Sequence, residues 1–181
     1  MEAVNQIYKM EMIREMTDMV KWIKLFGNQY LGFWVLGLVL FALQEIPYMI
    51  MPLFKLETNP IMNMQESSVV LDICEKVLGF LCIVLMTFIV HKNAALFSIN
   101  EKSEKIFFAL AAVVLLVNFI GWALYFAGHN GIFVMMFFIV LLPPLYYVFV
   151  GAWRKNISLV VAGSIFLIVH FIHVSGNLKI S

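Results

Sequence analysis

The residues of this sequence best suited to chemistry are a few polar and ionisable side chains that interrupt long apolar runs. Gln44 and Glu45 lie within the first run, and Asp72 and Glu75 lie near the start of the second. An ionisable side chain inside a membrane span is costly, so each one is a candidate site residue whose partner has to be found. A carboxylate in this setting can pair with a cation, act as a general acid or base, or help to bind a metal.

The charged residues of the second run share one face of a predicted helix. Asp72, Glu75 and Lys76 have the i, i+3 and i+4 spacing that brings side chains together on a helix, and Asp72 with Lys76 is a well-oriented pair. Two interpretations stay open. The three residues form a salt-bridge cluster at the membrane interface, or Asp72 or Glu75 turns inward beside Glu45.

Polar residues of the third run form one stripe. Asn118, Trp122, Tyr125 and His129 recur at i, i+4, i+7 and i+11. A Trp and a Tyr near a membrane surface are typical of the aromatic belt, but an Asn is not. The stripe therefore indicates either an aromatic belt or the wall of a polar cavity.

The fifth run contains His170 and His173, which are three residues apart on one helical face. A His-x-x-His pair can supply two metal ligands, but without a third motif residue such histidines more often form hydrogen bonds within the protein. Haem ligation by His129 with either histidine is geometrically possible but would lie close to water. No metal is assigned and the cofactor is left unknown. Cys74 and Cys82 fit no disulfide or zinc pattern and are interpreted as packing residues.

The composition indicates what surrounds these residues. Of 181 residues, 63% are hydrophobic and 13% are charged, whereas a soluble domain is about half apolar and about a quarter charged. A soluble fold of this size leaves roughly 30% of its chain surface in water, so it could not hide so much apolar area. Lipid is the natural solvent. The net charge of +1 and the lack of basic tracts argue against a nucleic-acid partner.

Five apolar runs are each about 20 residues long, the length needed to cross a bilayer. They comprise residues 30–54, 69–91, 106–128, 131–153 and 157–175. The predicted fold class is all-α, a polytopic membrane helical bundle with five transmembrane helices and an N-terminal amphipathic helix. Residues 29–181 are expected to form one transmembrane domain, since no connection is long enough for a second.

Residues 1–28 differ from the rest because they mix four acids, four bases and spaced apolar residues. Their broadly helical period predicts an amphipathic helix. It lies in the membrane interface with Trp22 and Phe26 as anchors, or it packs against the cytoplasmic side of the bundle.

Lysine and arginine residues beside the spans predict the orientation. Two of them, Lys55 and Lys179, fall on one side and nine on the other. The nine are Lys9, Arg14, Lys21, Lys24, Lys92, Lys102, Lys105, Arg154 and Lys155. The excess predicts a multi-pass plasma-membrane protein with a cytoplasmic N-terminus and an external C-terminus.

Prolines are expected to disturb two spans. Pro47 cannot donate a hydrogen bond inside the first helix, so we expect a kink or break beside Glu45. The Pro143–Pro144 pair lies near the middle of the fourth span and, in an α-helix, would leave the carbonyls of Ile139 and Val140 without donors.

The first two predicted helices carry carboxylates, Glu45 on the first and Asp72 and Glu75 on the second. A later helix is broken by the Pro143–Pro144 pair. In this spacing the chain resembles the four-helix membrane family that includes sterol isomerases and sigma-two-type receptors. The fifth span and the N-terminal segment depart from that layout. The resemblance implies a lipid-like ligand.

Counting along each span places the polar residues in the outward half of the membrane, above an apolar inner half. This distribution predicts one polar cavity that opens toward the outer leaflet. The candidate ligand-binding residues are Gln44, Glu45, Asp72, Glu75, Asn118, Trp122, Tyr125, His170 and His173.

Three function classes fit this pattern. The favoured one binds or transports a small amphipathic, cationic or lipid-like ligand, paired with Glu45 and stacked on Trp122 and Tyr125. The second is a structural or regulatory membrane subunit that docks a partner protein or forms a homo-oligomer. The third is an intramembrane, lipid-modifying enzyme that uses the carboxylates and histidines, with or without a metal. P-loops, dinucleotide fingerprints and nucleophile elbows do not occur in the sequence, which favours the non-enzymatic classes.

Overall fold

A computed structural model of the chain describes residues 20–54, 56, 59–65, 67–93 and 95–178. This part of the chain is mostly helical and carries one small sheet. The strands are β1 (Val20–Phe26), β2 (Gln29–Phe33) and β3 (Ile89–His91). The helices are α1 (Val35–Ile50) with a 3-10 turn (Met51–Leu53), α2 (Val69–Phe88), α3 (Lys102–Phe126), a π-helical segment (Val134–Leu141) continued by α4 (Leu142–Trp153), and α5 (Ile157–Asn177).

Within the described residues, four helical stretches are long and apolar enough to cross a membrane. They are Val35–Leu53, Lys102–Phe126, Val134–Trp153 and Ile157–Asn177. Large apolar side chains on them face outward, which is compatible with a lipid surrounding. The remaining expected span, the second one over residues 69–91, coincides with α2, which is 20 residues long but carries three charged residues. That α2 crosses the membrane stays a prediction.

The predicted N-terminal helix is wrong over its last nine residues. Residues 20–26 are strand β1, which forms an antiparallel hairpin with β2, and β2 pairs in turn with β3. The Gly27–Asn28 turn has the positive φ of +51° at Gly27 that a two-residue hairpin turn needs. Apolar and aromatic side chains on both sides of this turn favour strands over a helix. The rest of the predicted helix, residues 1–19, lies outside the described residues.

The hairpin also shortens the first helix. Sequence analysis begins the first span at Tyr30, whereas Tyr30 lies in β2 and α1 begins at Val35. Helix α1 then continues through Pro47 to Ile50 and tightens into the 3-10 turn. The helix therefore ends after Pro47 and does not break beside Glu45.

The Pro143–Pro144 pair lies in the first turn of α4, directly after the π-helical segment. In a π-helix each carbonyl accepts from the N–H five residues later, so Phe138 O faces a proline and has no helical donor. Asn118 Nδ2 of α3 donates to this oxygen at 2.7 Å. The carbonyls of Ile139 and Val140 were expected to lack donors because the prediction assumed α-helical hydrogen bonds. In the π-helical segment each donor lies one residue further along the chain, so the position without a donor moves one residue toward the N-terminus.

Helices α4 and α5 approach each other closely at small residues. A Cβ at Gly151 would lie 2.9 Å from the backbone nitrogen of Val160, so only glycine fits without displacing α5. The main core beside this contact contains Cys82, Tyr146 and Trp153. Cys82 is buried as a packing residue, whereas Cys74 is exposed.

Side-chain hydrogen bonds connect the sheet and the end of α2 to the turn after α4. Asn156 Nδ2 donates to the carbonyls of Leu85 and Ile89 at 2.8 and 2.9 Å, and its Oδ1 caps α5. Gln29 Nε2 donates to Lys155 O at 2.8 Å. These bonds place the sheet at the end of the bundle where α4 stops and α5 starts.

Arg154 stabilises the same end of the bundle. Its guanidinium lies 4.6 Å from the ring centroid of Trp34 and 5.3 Å from that of Trp153, and it donates to Ala95 O at 2.5 Å. Burial lowers the pKa of Arg154. Arg154 is buried, and its bond to Ala95 O holds the loop before α3.

Candidate functional site

A cavity of about 300 Å³ lies among α1, α2, α4 and α5. Its polar lining comes from all four helices, and aromatic rings provide much of the rest. The lining residues are Phe41, Gln44, Glu45, Tyr48, Glu75, Gly79, Ile83, Pro143, Tyr147, Phe166 and His170. Four of the nine predicted site residues, Gln44, Glu45, Glu75 and His170, therefore border one cavity.

Helix α1 provides one wall of the cavity through a single stripe of side chains. Phe41, Gln44, Glu45 and Tyr48 line it, at the i, i+3, i+4 and i+7 positions of one helical face. Gln44 is 2% exposed, and Glu45 is partly exposed. The opposite face of α1 carries exposed apolar residues such as Leu43 and Ile46.

The polar groups on α1 have no protein partners among the residues that the structure describes. Gln44 Oε1 is buried without a hydrogen bond, and the Glu45 carboxylate forms neither a hydrogen bond nor an ion pair. An unpaired carboxylate in apolar surroundings is costly unless a proton or a cation neutralises it. Glu45 is therefore the group in this cavity with an unmet need for a positive charge.

The second carboxylate, Glu75, is engaged by α5. Its Oε1 lies 3.0 Å from His170 Nδ1, and its Oε2 is hydrogen-bonded to His173 Nδ1. The three-residue spacing of the histidines brings both rings to one face of α5, opposite α2. The inward-turning alternative for the second run thus holds for Glu75.

Asp72 follows the other alternative for the same run. Lys76 Nζ donates to Asp72 Oδ2 at 2.7 Å within α2, and the lysine side chain is exposed. This is the i, i+4 pair that the sequence predicts, and Asp72 is not among the residues that line the cavity.

The arrangement of Glu75 with the histidines differs from a metal site. Both rings direct Nδ1 at the one carboxylate, so the nitrogens do not converge on a common empty point. Within the described ranges, no group of three or more His, Cys, Asp or Glu residues could hold a metal ion.

The third-span stripe lies outside the cavity. Asn118 is buried and bonded to Phe138 O, and His129 is exposed beside the Gly128 turn. Trp122 and Tyr125 belong to a separate buried cluster, where Tyr125 Oη donates to Asn59 Oδ1 at 2.6 Å.

The aromatic residues that line the cavity are different ones. Tyr48 from α1 and Tyr147 from α4 border it, and the Tyr48 ring packs edge-on against Trp122 with centroids 4.6 Å apart. Trp122 thus lies behind Tyr48. The sequence contains a signal for both tyrosines. Tyr48 has the helical spacing that puts it on the same face as Gln44 and Glu45, and Tyr147 lies one turn after Pro143.

A second, more polar cavity of about 210 Å³ lies at the other end of α4. Its charges are already paired, since Lys155 Nζ lies 2.5 Å from Glu101 Oε1 and 3.4 Å from Glu104 Oε1. The hydrogen bond from Lys155 to Glu101 raises the pKa of Lys155. Glu104 also accepts from Ser98 at 2.8 Å and caps α3. This network fastens the loop before α3 to the turn after α4.

Comparisons of the chain with protein-family models, with curated proteins and with solved structures find no match. The four apolar helices are compatible with a membrane protein, and the cavity among them brings together four of the expected residues.

Proposed function

We propose that this protein is a multi-pass membrane protein that binds, and moves across the membrane, a small amphipathic molecule with a cationic head. The observation that carries the proposal is Glu45, a carboxylate in a partly open cavity that has no protein partner among the described residues. A positively charged group of the ligand would neutralise it. The buried Gln44 Oε1, which also lacks a hydrogen bond, would accept one from an ammonium N–H.

The walls suit an organic cation better than a metal ion. Tyr48, Tyr147, Phe41 and Phe166 border the cavity, and aromatic faces attract ammonium groups through their quadrupoles. These rings take the role that the sequence analysis gave to Trp122 and Tyr125. Metal ions of the magnesium or calcium type would need several oxygen ligands, whereas Glu45 offers one carboxylate.

The size of the cavity limits the ligand. A volume of about 300 Å³ is at the small end of the range for ligand sites, so it fits a head group or a small amine and not a whole lipid. An attached apolar chain would extend along the exposed apolar surface of α1 beside the cavity, where Leu38 and Met49 face outward.

We further propose the plasma membrane as the location, with the N-terminus cytoplasmic and the C-terminus external. Arg154 and Lys155 lie after the end of α4, whereas the cavity residues Glu75 and His170 lie in the halves of α2 and α5 that are farther from that turn. The positive-inside tendency places the basic end in the cytoplasm, so the cavity lies toward the external side. The bilayer and the ligand are then the partners, and no nucleic acid is expected.

The test is binding of benzyltrimethylammonium to the purified protein in lipid nanodiscs, measured by titration calorimetry. Because a charge-assisted contact contributes about 1.5–3 kcal/mol, Glu45→Gln should weaken binding at least about tenfold. Glu101→Gln removes an exposed carboxylate at the other end of the molecule and should change the Kd by less than about twofold.

The alternative of a structural or regulatory subunit predicts a different result. In that case the wild-type protein binds no ammonium probe, and it co-purifies with a larger membrane protein or with further copies of itself. Equal affinities for wild type and a folded Glu45→Gln variant would also refute the proposed role of Glu45.

A further inference from the structure

The cavity contains more acidic than basic groups, and this imbalance points to a second bound species. Glu45 and Glu75 both border it, while none of the described lysine or arginine residues does. Two carboxylates in one partly desolvated space raise each other's energy, because like charges repel and burial removes their hydration. A cation at Glu45 compensates one of the two charges. The negative charge of Glu75 is compensated by the histidines beside it.

The ring nitrogens of the two histidines differ in what they contact. His173 Nδ1 is hydrogen-bonded to Glu75, and His173 Nε2 is buried with no partner. His170 Nδ1 is also buried and lies 3.0 Å from Glu75 Oε1. Contact with a carboxylate favours a proton on each Nδ1, so in the neutral tautomers both Nε2 atoms carry a lone pair.

An additional proton has one favourable position among these nitrogens. On His173 Nε2 it would create a buried N–H without an acceptor, which is costly. His170 borders the cavity, so a proton on His170 Nε2 has a route to and from the cavity space. The resulting imidazolium would pair with Glu75 through Nδ1. His170 is thus the side chain through which this cluster can gain or lose a proton.

The surroundings of His170 contain few other titratable groups. Glu45 and Tyr48 face the cavity from α1, Glu75 from α2 and Tyr147 from α4, with His173 one turn further along α5. The Asp72–Lys76 ion pair flanks Glu75 on α2, with the lysine side chain exposed. The π-helical segment contributes no ionisable side chain.

We propose that binding of a monovalent organic cation at Glu45 releases one proton from His170, so that the cavity exchanges a proton for the cation. The inference rests on the proposed function and adds its coupling to protons. A cation at Glu45 and an imidazolium at His170 would occupy the same small space, and their repulsion makes each weaken the binding of the other. The proton leaves His170 Nε2 for bulk water as the cation enters, and the net charge of the cavity is conserved.

The sign of the pH dependence follows from this competition. At low pH the protonated His170 opposes the cation, so the affinity for the cation rises with pH and levels off where the imidazole is neutral. In the limit of low pH the apparent Kd changes by about tenfold for each pH unit, because one proton is displaced for each cation bound.

The experiment again uses benzyltrimethylammonium, a quaternary cation with no exchangeable proton, so every proton released comes from the protein. Calorimetric titrations of the wild-type protein in nanodiscs, in two buffers of different ionisation enthalpy between about pH 5.5 and 8, count the protons. We expect up to one proton released for each probe bound. His170→Gln should abolish the release and make the affinity independent of pH, whereas the exposed His129→Gln should behave as wild type.

A second variant keeps the test valid if His170→Gln fails to fold. Glu75→Gln removes the charge that stabilises the imidazolium, so the proton release should move to lower pH. Probe binding without proton release by the wild type overturns the proton exchange and leaves the proposed function standing. Release that persists in His170→Gln assigns the proton to Glu45 and overturns the role of His170. Failure of the wild type to bind the probe overturns both proposals.

Discussion

The hydrogen bond between Asn118 and Phe138 O predicts a specific energetic coupling between α3 and the proline-containing helix. The carbonyl has no helical donor because residue 143 is proline, and Asn118 Nδ2 compensates at 2.7 Å. Asn118→Leu keeps a similar volume but leaves a buried carbonyl without a partner. Pro143→Ala restores an N–H at the position from which a π-helical ladder would supply one.

The magnitude can be worked out from these contacts. An unsatisfied buried acceptor costs about 1–3 kcal/mol, but the leucine also removes Asn118 Oδ1, itself buried without a partner. We therefore expect Asn118→Leu to lower the free energy of unfolding by about 1–2 kcal/mol. For a chain of this length this corresponds to a Tm lower by roughly 2–8 °C.

The assay is a double-mutant cycle of thermal unfolding in detergent. Because the alanine supplies the missing N–H, Asn118→Leu should cost less in the Pro143→Ala background than in the wild type, by about 0.5–1 kcal/mol. Additive effects of the two substitutions would refute the idea that Asn118 compensates for the proline. An unchanged Tm in Asn118→Leu alone would refute the estimate of its cost.

Two further predictions concern the end of the bundle that carries the sheet. Asn156→Ala removes the α5 cap and the donor to Leu85 O and Ile89 O. Chemical unfolding should show a free energy of unfolding that is lower by about 2–4 kcal/mol, and a loss below about 0.5 kcal/mol would contradict this. Burial and the nearby charges of Lys155, Lys21 and Arg154 lower the pKa of His91, so the unfolded chain binds its proton more readily. Stability should therefore fall as the pH drops below about 6.5, the unfolded value, and His91→Gln should reduce this slope in Tm measured against pH; an identical slope would contradict the account.

Four of the five expected spans coincide with long apolar helices, because such runs depend on composition and not on tertiary contacts. The hairpin was missed because Lys21, Trp22, Ile23 and Lys24 fit a helical period as well as a strand period, and the apolar run was extended back over β2. Pairing with β3, nearly sixty residues later in the chain, decides in favour of the strand. The Gly27–Asn28 turn was the local signal.

The candidate site was predictable where one helix determines the geometry and not where two helices do. Gln44 and Glu45 are recognisable from their cost in an apolar helix, and Glu75 with His170 from the same argument. Which aromatic residues face them depends on the rotation of α3 and α4. Trp122 and Tyr125 turn into a separate cluster, and Tyr48 covers Trp122 from the cavity side. The sequence pattern contains no information about that rotation.

The central claim is that the Glu45 carboxyl, which has no protein partner in the part of the chain that the structure describes, is occupied by an organic cation when ligand is bound. Labelling with a hydrophobic carbodiimide, read by mass spectrometry of the digested protein, tests it directly, because the reagent modifies carboxyl groups in apolar surroundings. The account predicts that Glu45 is labelled in the unliganded protein, that saturating benzyltrimethylammonium protects it, and that exposed Glu101 shows no such protection. A Glu45 that is unreactive without ligand, or equally reactive with and without the probe, would contradict the claim.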